Sequence, residues 1–233
     1  FSDAATNTNS VSNTFTWTYD ATPPTMTISA VDANSANVAS GSTTNDVTIV
    51  LEFLSSESTT DFVVGDITVA NGTLTNFANS GDDENYTATF AGSAGQVSSI
   101  SVAAGKFSDA ATNTNSVSNT FTWTYDNVPP TMAISSTTVS HGSTTNDATI
   151  ALRFVSSEAT TNFGVGNISA EVNSITNFAN SGDDMTYTAT FTPQGSPADG
   201  LKTIKVLASQ YTDAAGNPNN VSNTFNWTYD GTS

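Results

Sequence analysis

Apolar and polar residues alternate in short runs along the whole chain. Between Val47 and Phe53 every second residue is apolar, and between Phe121 and Tyr125 large aromatic residues alternate with threonine. A period of two residues is typical of a β-strand with one buried face. No stretch has the longer period of an amphipathic helix, so the sequence predicts an all-β protein.

One unit of the chain contains seven candidate strands, separated by turn-forming residues about every ten positions. In the third candidate the apolar residues are even-numbered up to Val64 and odd-numbered from Ile67. A β-bulge near Gly65 is therefore expected, because it would keep the apolar side chains on both sides of it facing inward. The predicted strands are 26–30, 47–54, 62–70, 73–78, 86–90, 98–103 and 119–125.

A segment of twenty residues occurs three times and divides the chain. Residues 1–20 and 107–126 are identical, and residues 211–230 repeat them with few changes. The copies lie about 105 residues apart, the size of one seven-stranded β-sandwich domain. The prediction is therefore a tandem array of seven-stranded, immunoglobulin-like Greek-key sandwiches, with a first repeat at 21–126, a second at 127–230 and the start of a further linker at 231–233.

Residues 1–20 are a closing strand without a preceding body in this sequence. One interpretation is that they are the C-terminal strand of a repeat that lies upstream. The other is that they act as a donor strand, which completes a sandwich in a neighbouring subunit. The first interpretation is favoured, because both repeats already have a closing strand of their own.

The charge of the chain limits its partners. The sequence has 21 acidic and 4 basic residues, a formal net charge of −17, and no cysteine. Nucleic acids and anionic membrane surfaces are recognised by clustered Lys and Arg, so they are not expected as partners. The longest apolar run, at 47–54, is too short to cross a bilayer, and no membrane insertion is predicted for this segment.

Several motifs occur in the same order in both repeats. They include PPTM, STTND, TNFANSGDD and YTATF, followed by DAATN in the first repeat and DAAGN in the second. Together they resemble the bacterial Ig-like repeat domains of large extracellular adhesins and surface filament proteins. The resemblance implies an immunoglobulin-type sandwich repeated head to tail outside the cell, often with calcium at the domain junctions. The first repeat departs from the pattern at Thr112, where the second has Gly216.

Acidic residues are expected to converge at one pole of each sandwich. The loops after the second and sixth strands carry Glu57 and Asp109, and the preceding closing strand brings Asp20 to the same pole. Calcium is bound by six to eight oxygen ligands, which Asp, Glu and loop carbonyls supply. The hypothesis is therefore a junction Ca²⁺ at each repeat, and the alternative is that these acids cap turns. The two candidate sets are Asp20, Glu57 and Asp109, and Asp126, Glu158 and Asp213.

Other polar residues are weaker candidates. Asp82 and Asp83 fit the tip of a hairpin equally well, and Asp61 and Asp66 are replaced by asparagine in the second repeat. Five triplets fit the N-glycosylation sequon, although chains rich in Asn and Thr produce such triplets by chance. These glycosylation candidates are Asn71, Asn85, Asn167, Asn220 and Asn226.

The predicted function is structural and non-catalytic. The chain has no cysteine and a single histidine, His141, and its acids recur in both repeats, whereas an active site is normally singular. The favoured interpretation is a stiff shaft of an extracellular adhesin, filament or pilus, whose partners are neighbouring repeats or filament subunits. The alternative is a carbohydrate-binding or surface-binding module. Against it, the tryptophans of all three closing strands are predicted to be core residues.

Overall fold

Each repeat is a two-sheet sandwich of eight strands. The computed structural model describes residues 1–59, 61–160, 162–194 and 199–232, so the last linker residue, Ser233, lies outside the described residues. The first repeat contains β1 (Met26–Val31), β2 (Ser42–Thr44), β3 (Ile49–Ser55), β4 (Ile67–Ala70), β5 (Gly72–Asn79), β6 (Asn85–Gly92), β7 (Val97–Val102) and β8 (Phe121–Tyr125). The second contains β9 (Met132–Ser136), β10 (Thr144–Thr145), β11 (Ile150–Ser156), β12 (Ile168–Ser169), β13 (Ile175–Asn180), β14 (Thr186–Phe191), β15 (Gly200–Val206) and β16 (Phe225–Tyr229).

The two repeats have the same sheet topology. In the first, one sheet has the order β1-β3-β6-β5 and the other the order β2-β8-β7-β4. All neighbours are antiparallel except β2, which runs parallel to β8. The second repeat forms the sheets β9-β11-β14-β13 and β10-β16-β15-β12 in the same way. The predicted all-β fold of tandem Ig-like sandwiches is confirmed.

The core lies between the two sheets and follows the predicted alternation. Ile49, Leu51 and Phe53 on β3 point inward, and Trp123 on β8 is fully buried. Trp227 is the equivalent residue of the second core. Val47 was expected on the same face as Ile49, but β3 begins only at Ile49, and Val47 is 68% exposed.

The predicted bulge near Gly65 is wrong. A short 3₁₀ turn, Val64–Asp66, takes the place of the bulge and shifts which side chains face inward. Only Ile67–Ala70 forms a strand. The Asp66 carboxylate accepts a hydrogen bond from Val63 N (3.0 Å) and fixes the start of this turn. The turn leaves Val64 exposed and brings Ile67 against the core, so Val64 does not contribute to the interior.

The short strand β2 is absent from the sequence prediction. Its three residues, Ser42–Thr44, are polar and have no apolar periodicity, which leaves no pattern to detect. The strand is specified by tertiary contacts, because it pairs with β8 and Thr44 Oγ1 accepts a hydrogen bond from Trp123 Nε1 (3.0 Å). Its parallel pairing anchors the segment between β1 and β3 to the closing strand.

The long loop between β7 and β8 is held by two asparagine side chains, of which Asn115 is buried. Asn115 accepts hydrogen bonds from Lys106 N and Phe107 N, and donates to Ala103 O and Ser116 O, at 2.6–3.0 Å. Further along, Asn119 pairs with both backbone groups of Ile28, as an additional strand residue would do. Loops of this length are uncommon in compact domains, and these amides replace the missing strand ladder.

The first copy of the repeated segment does not join a sheet. Residues 1–20 contain a single isolated bridge, Ser2 with Thr8, and no strand. The aromatic side chains Phe15 and Trp17 are 85% and 72% exposed, whereas their counterparts Phe121 and Trp123 are buried. The core position of Trp17 was predicted for a sandwich other than these two, so that prediction and the assignment of residues 1–20 to such a sandwich stay predictions.

Candidate metal centre at the repeat junctions

The structure brings together both sets of carboxylates that the sequence singles out. Asp20, Glu57 and Asp109 each offer one oxygen, and these three atoms lie within 4.8 Å of one another. The equivalent residues of the second repeat form a second cluster with the same limit, and they are Asp126, Glu158 and Asp213.

Three different segments supply the carboxylates of the second cluster. Asp126 directly follows β8 of the first repeat, and its backbone N–H donates to Thr44 O (2.9 Å). Glu158 lies in the loop after β11, and Asp213 lies in the loop between β15 and β16. The Asp126 carboxylate also accepts a hydrogen bond from Val128 N (3.0 Å), which fixes the entry to the Pro-Pro linker. The cluster therefore joins the end of one repeat to two loops of the next.

An asparagine, not identified from the sequence, connects two ligands in each cluster. Asn217 Nδ2 donates to Asp213 Oδ2 and to Asp126 O, both at 3.0 Å. Asn113 makes the same two contacts with Asp109 Oδ2 (2.9 Å) and Asp20 O (3.3 Å). The signal was present in the sequence, because all three copies of the segment keep an Asp four residues before an Asn.

The clusters concentrate negative charge. Partial desolvation raises the pKa of Glu57, and the neighbouring charges of Asp20 and Asp109 raise it further. Desolvation likewise raises the pKa of Glu158, together with the charges of Asp213 and Asp126. By contrast, the hydrogen bond from the Asn113 side chain holds the pKa of Asp109 below its usual value. Within the described ranges the one salt bridge joins Lys202 to Glu171, so no Lys or Arg is ion-paired with either cluster.

The donor set fits a hard divalent cation. Each cluster contains only carboxylate oxygens, with no imidazole nitrogen or thiolate, and such sets favour Ca²⁺, Mg²⁺ or Mn²⁺ over zinc or copper. Two oxygens of Asp213 already accept hydrogen bonds from Asn217, which fixes the orientation of that carboxylate. Calcium accepts several carboxylates from separate segments in variable geometry, whereas magnesium demands a strict octahedron and is usually bound by only one or two carboxylates.

Comparison with known families identifies the repeats. The family model described as "Bacterial Ig-like domain" matches residues 20–125 and again residues 126–229. The chain belongs to the bacterial Ig-like domain family. Each match begins at a junction aspartate, Asp20 or Asp126, so the second cluster lies at the boundary between the two matched repeats and the first cluster lies at the start of the first match. A search of curated proteins finds no match.

Solved structures that match this chain include bacterial adhesins and titin. The Escherichia coli adhesin FdeC is 12% identical and has a TM-score of 0.42, with 92% of this chain and 65% of that one covered. Yersinia pseudotuberculosis InvD is 21% identical with a TM-score of 0.36 (88% and 57% covered), and the titin fragment I67-I69 is 9% identical with a TM-score of 0.39 (91% and 66% covered). The chain thus spans less than two thirds of each of these structures.

The remaining acids act in local structure. Asp82 is at the tip of the β5-β6 hairpin and accepts hydrogen bonds from Glu84 N and Asn85 N. Asp61 accepts hydrogen bonds from the backbone and hydroxyl of Ser108, and in the second bacterial Ig-like repeat Asn162 takes the same position beside Thr212. Asp61 does not need its charge, because a neutral amide replaces it, and Asp82 caps a turn as Asp183 does in the second repeat, so both residues lie outside the metal hypothesis.

The glycosylation candidates differ in whether the side-chain amide is hydrogen-bonded and in how exposed the side chain is. Asn71, Asn85 and Asn167 donate from Nδ2 to Val97 O, Asp82 Oδ2 and Gln210 O, at 2.6–2.9 Å. Asn226 is half-buried on β16, with its side chain on the outward face as predicted. Asn220 is exposed in the loop before β16. A glycan is therefore accommodated most easily at Asn220.

His141 has a structural role next to the closing strand. Its Nδ1 accepts a hydrogen bond from Asn226 N (3.2 Å), and its ring packs on Phe225. In the first repeat the hydroxyl of Ser40 accepts the equivalent bond from Thr122 N (3.0 Å). The single histidine thus replaces a serine acceptor.

The loop that carries Asp109 keeps its shape despite the substitution at Thr112. Both Thr112 (φ 70°) and its counterpart Gly216 (φ 92°) have left-handed backbone conformations. For a residue with a branched side chain this conformation is strained by about 1–3 kcal/mol. The expected difference in loop geometry between the repeats is therefore small, and the first repeat carries the strain.

Thr112→Gly is expected to stabilise the first repeat. Removal of the strain is partly offset by the greater freedom of glycine in the unfolded chain, so the net gain is about 0.5–1 kcal/mol. Differential scanning calorimetry of the two-repeat chain measures it. As the matched control, Gly216→Thr is expected to destabilise the second repeat, although the added Cβ would lie 3.6 Å from the Asn45 side chain, an ordinary contact. A lower melting temperature for Thr112→Gly contradicts the prediction.

Proposed function

We propose that the bacterial Ig-like repeats of this chain form a stiff, non-catalytic spacer in an extracellular adhesin or surface filament, and that Ca²⁺ at each junction rigidifies it. The observation that carries the proposal is the composition of the second cluster. One ligand, Asp126, leaves the last strand of the first repeat, while Glu158 and Asp213 belong to the second. A cation bound to all three restricts rotation of one repeat about the other.

Hydrogen bonds between the two repeats restrict the orientation of one repeat relative to the other. Asn217 Nδ2 donates to Asp126 O (3.0 Å), and Asn45 N of the first repeat donates to Ala215 O of the second (3.1 Å). Between the repeats, Pro129 and Pro130 limit the backbone of the linker. These contacts are few, so most of the stiffness is expected to come from the cation.

A bound cation is also expected to stabilise the folded state, because it offsets the repulsion between the carboxylates. Desolvation first, and then the charges of the neighbouring aspartates, raise the pKa values of Glu57 and Glu158, so the ionised carboxylates are disfavoured in the folded state. A bound divalent cation removes this repulsion and adds ligand bonds that the unfolded chain lacks. At a free concentration of one hundred times Kd it would stabilise each loaded site by about 2.7 kcal/mol.

The test compares the two-repeat chain in EDTA with the same chain in millimolar CaCl₂. We expect heat on calorimetric titration, higher melting temperatures and a narrower distribution of lengths in small-angle X-ray scattering. Magnesium is expected to have a weaker effect, because Mg²⁺ keeps most of its water. Asp82→Asn removes an acid outside the clusters and is expected to leave the calcium response unchanged. Absence of both binding heat and a melting shift refutes the calcium part of the proposal.

The spacer role has a separate test. If the repeats themselves bind a surface glycan, the isolated chain is expected to bind a glycan array, and the spacer role is then wrong. Both core tryptophans, Trp123 and Trp227, are fully buried and unavailable as sugar-stacking platforms. The spacer role therefore predicts no binding to such an array, with or without calcium.

A further inference from the structure

The strands of two corresponding sheets, as the structure describes them, each include a single charged residue, and the two charges are opposite. Of the 21 acidic residues, all of which lie in the described ranges, only Glu52 is in a strand, and it is exposed on β3. At the equivalent position of β11 the second repeat has Arg153, which is also exposed. We refer to the outward surface of the sheet β1-β3-β6-β5 as the Glu52 face and to that of the sheet β9-β11-β14-β13 as the Arg153 face.

The surroundings of the two charges are otherwise alike. In each sheet the charged residue stands between a serine on one neighbouring strand and a threonine on the other. The two rows are Ser29, Glu52 and Thr87, and Ser135, Arg153 and Thr188. Neutral hydroxyl groups thus flank both positions, and the sign of the charge is the main chemical difference between the centres of the two faces.

The chain itself does not neutralise either charge. Within the described residues the one salt bridge joins Lys202 to Glu171, so Glu52 and Arg153 are not ion-paired there. The hydroxyl of Ser29 donates to Glu52 Oε2 (3.1 Å), which orients the carboxylate. A guanidinium presents its donors in a planar fork that matches a carboxylate in two parallel hydrogen bonds. The two groups are therefore chemically suited to each other, although they lie on different repeats.

The apolar residues next to the two charges differ in size in a complementary way. Val50 and Leu54 flank the glutamate on its face, and Leu54 is 50% exposed. On the other face the smaller residues Ala151 and Val155 take these positions. A shallow depression of about 310 Å³ lies beside the arginine, with Ala151 in its lining. The larger side chains of one face thus have room on the other.

We propose that the Glu52 face of one chain docks on the Arg153 face of a second copy of this chain, so that neighbouring spacers associate side by side. Sheets pack face to face about 10 Å apart, and an arginine and a glutamate that face each other together bridge this distance. The complementary charge and the complementary side-chain sizes are both present on this one chain, so a second copy is the partner that fits.

The size of the contact indicates a weak association. A four-stranded face about six residues long measures roughly 20 by 20 Å, or about 400 Å² on each partner. A single pairing of this size is smaller than the interface of a stable dimer. The net charge of −17 also opposes contact, but at physiological salt this repulsion is screened beyond about 8 Å. The contact therefore matters where chains are concentrated side by side.

The test exchanges the two charges in the full-length chain. Glu52→Arg gives a chain with two arginine faces, and Arg153→Glu gives a chain with two glutamate faces. In EDTA, which prevents bridging of the acidic loops by divalent cations, the mass of the wild type in sedimentation is expected to rise with concentration above the 24.0 kDa of one chain. Each single variant is expected to associate at least about tenfold more weakly, because like charges then meet.

An equimolar mixture of the two variants is the decisive sample. In the mixture an arginine face meets a glutamate face again, so association is expected to return to within about threefold of the wild type. Lys205→Glu is the matched control, because it makes the same change in net charge on the opposite sheet, and it is expected to associate as the wild type does. Both exchanged positions are exposed, so unchanged melting curves are expected for each variant.

Four outcomes overturn the proposal. The wild type stays monomeric up to about 1 mM, or the single variants associate as strongly as the wild type. A mixture that does not recover shows that the two faces do not meet. Equal losses for Lys205→Glu and Arg153→Glu show that net charge, and not contact between the faces, governs association.

Discussion

Asn219→Ala is expected to lower the free energy of unfolding of the second repeat by about 3–4 kcal/mol. The buried side chain accepts hydrogen bonds from Gln210 N and Tyr211 N and donates to Leu207 O and Asn220 O. Alanine leaves these four backbone groups without their partner. The bond to Tyr211 N is buried and the other three are partly buried, and an unmet buried group costs about 1–3 kcal/mol. Calorimetry is expected to show a lowered transition for one repeat only.

The neighbouring residue offers a matched control. Asn220→Ala changes an exposed asparagine in the same loop, and surface changes of this kind stay within about 0.5 kcal/mol. The equivalent substitution in the first repeat, Asn115→Ala, is expected to lower the other transition by a similar amount. Asn219→Ala and Asn220→Ala with indistinguishable melting curves would contradict the structural role assigned to the buried amide.

Glu158→Gln is expected to have opposite effects with and without calcium. In EDTA the substitution removes a carboxylate whose pKa is raised by desolvation and by Asp213 and Asp126, so the second repeat becomes more stable at neutral pH. In calcium it removes a ligand, and most of the stabilisation of about 2.7 kcal/mol at one hundred times Kd disappears. Melting temperatures of wild type and variant in the two buffers measure this inversion.

The pH dependence of stability in EDTA separates the effect of the Glu158 charge from the role of Glu158 as a calcium ligand. A carboxyl group with a raised pKa in the folded state destabilises that state at high pH. This loss of stability disappears as the pH falls, because Glu158 becomes protonated between its raised pKa in the folded state and the ordinary value of 4.5. In EDTA the advantage of Glu158→Gln is therefore expected at pH 7 and should vanish below about pH 4.5. An advantage that persists in acid would show that glutamine stabilises the loop through packing.

The sequence predicted the fold and the two clusters because both follow from strand parity. Alternation from Ile49 to Phe53 identifies the buried face, and the direction of successive strands places Glu57 and Asp109 at one pole. The cluster is then a consequence of topology and of the Asp that ends each closing strand. Calcium itself is not specified by this reasoning, since three carboxylates also serve as hydrated turn residues.

The features that the sequence did not predict depend on single tertiary contacts. The strand β2 is defined by its pairing with β8, and the turn at Val64–Asp66 by one carboxylate bond to Val63 N. Asn115 and Asn217 were missed because an asparagine in a loop has the same local signature whether it is buried or exposed. Such residues become recognisable only when the partner groups are known.

The parallel pairing of β2 with β8 has a consequence for a chain under tension. A pull on both ends draws β2 towards the N-terminal pole of the repeat and β8, through Asp126, towards the C-terminal pole. The strands then slide against each other along their axes, and their hydrogen bonds must break together. The pair Asn119 and Ile28 is loaded in the same direction. A strand of only three residues is thus expected to add resistance in shear to that of the β1-β3 pairing, which a pull on the N-terminus loads first.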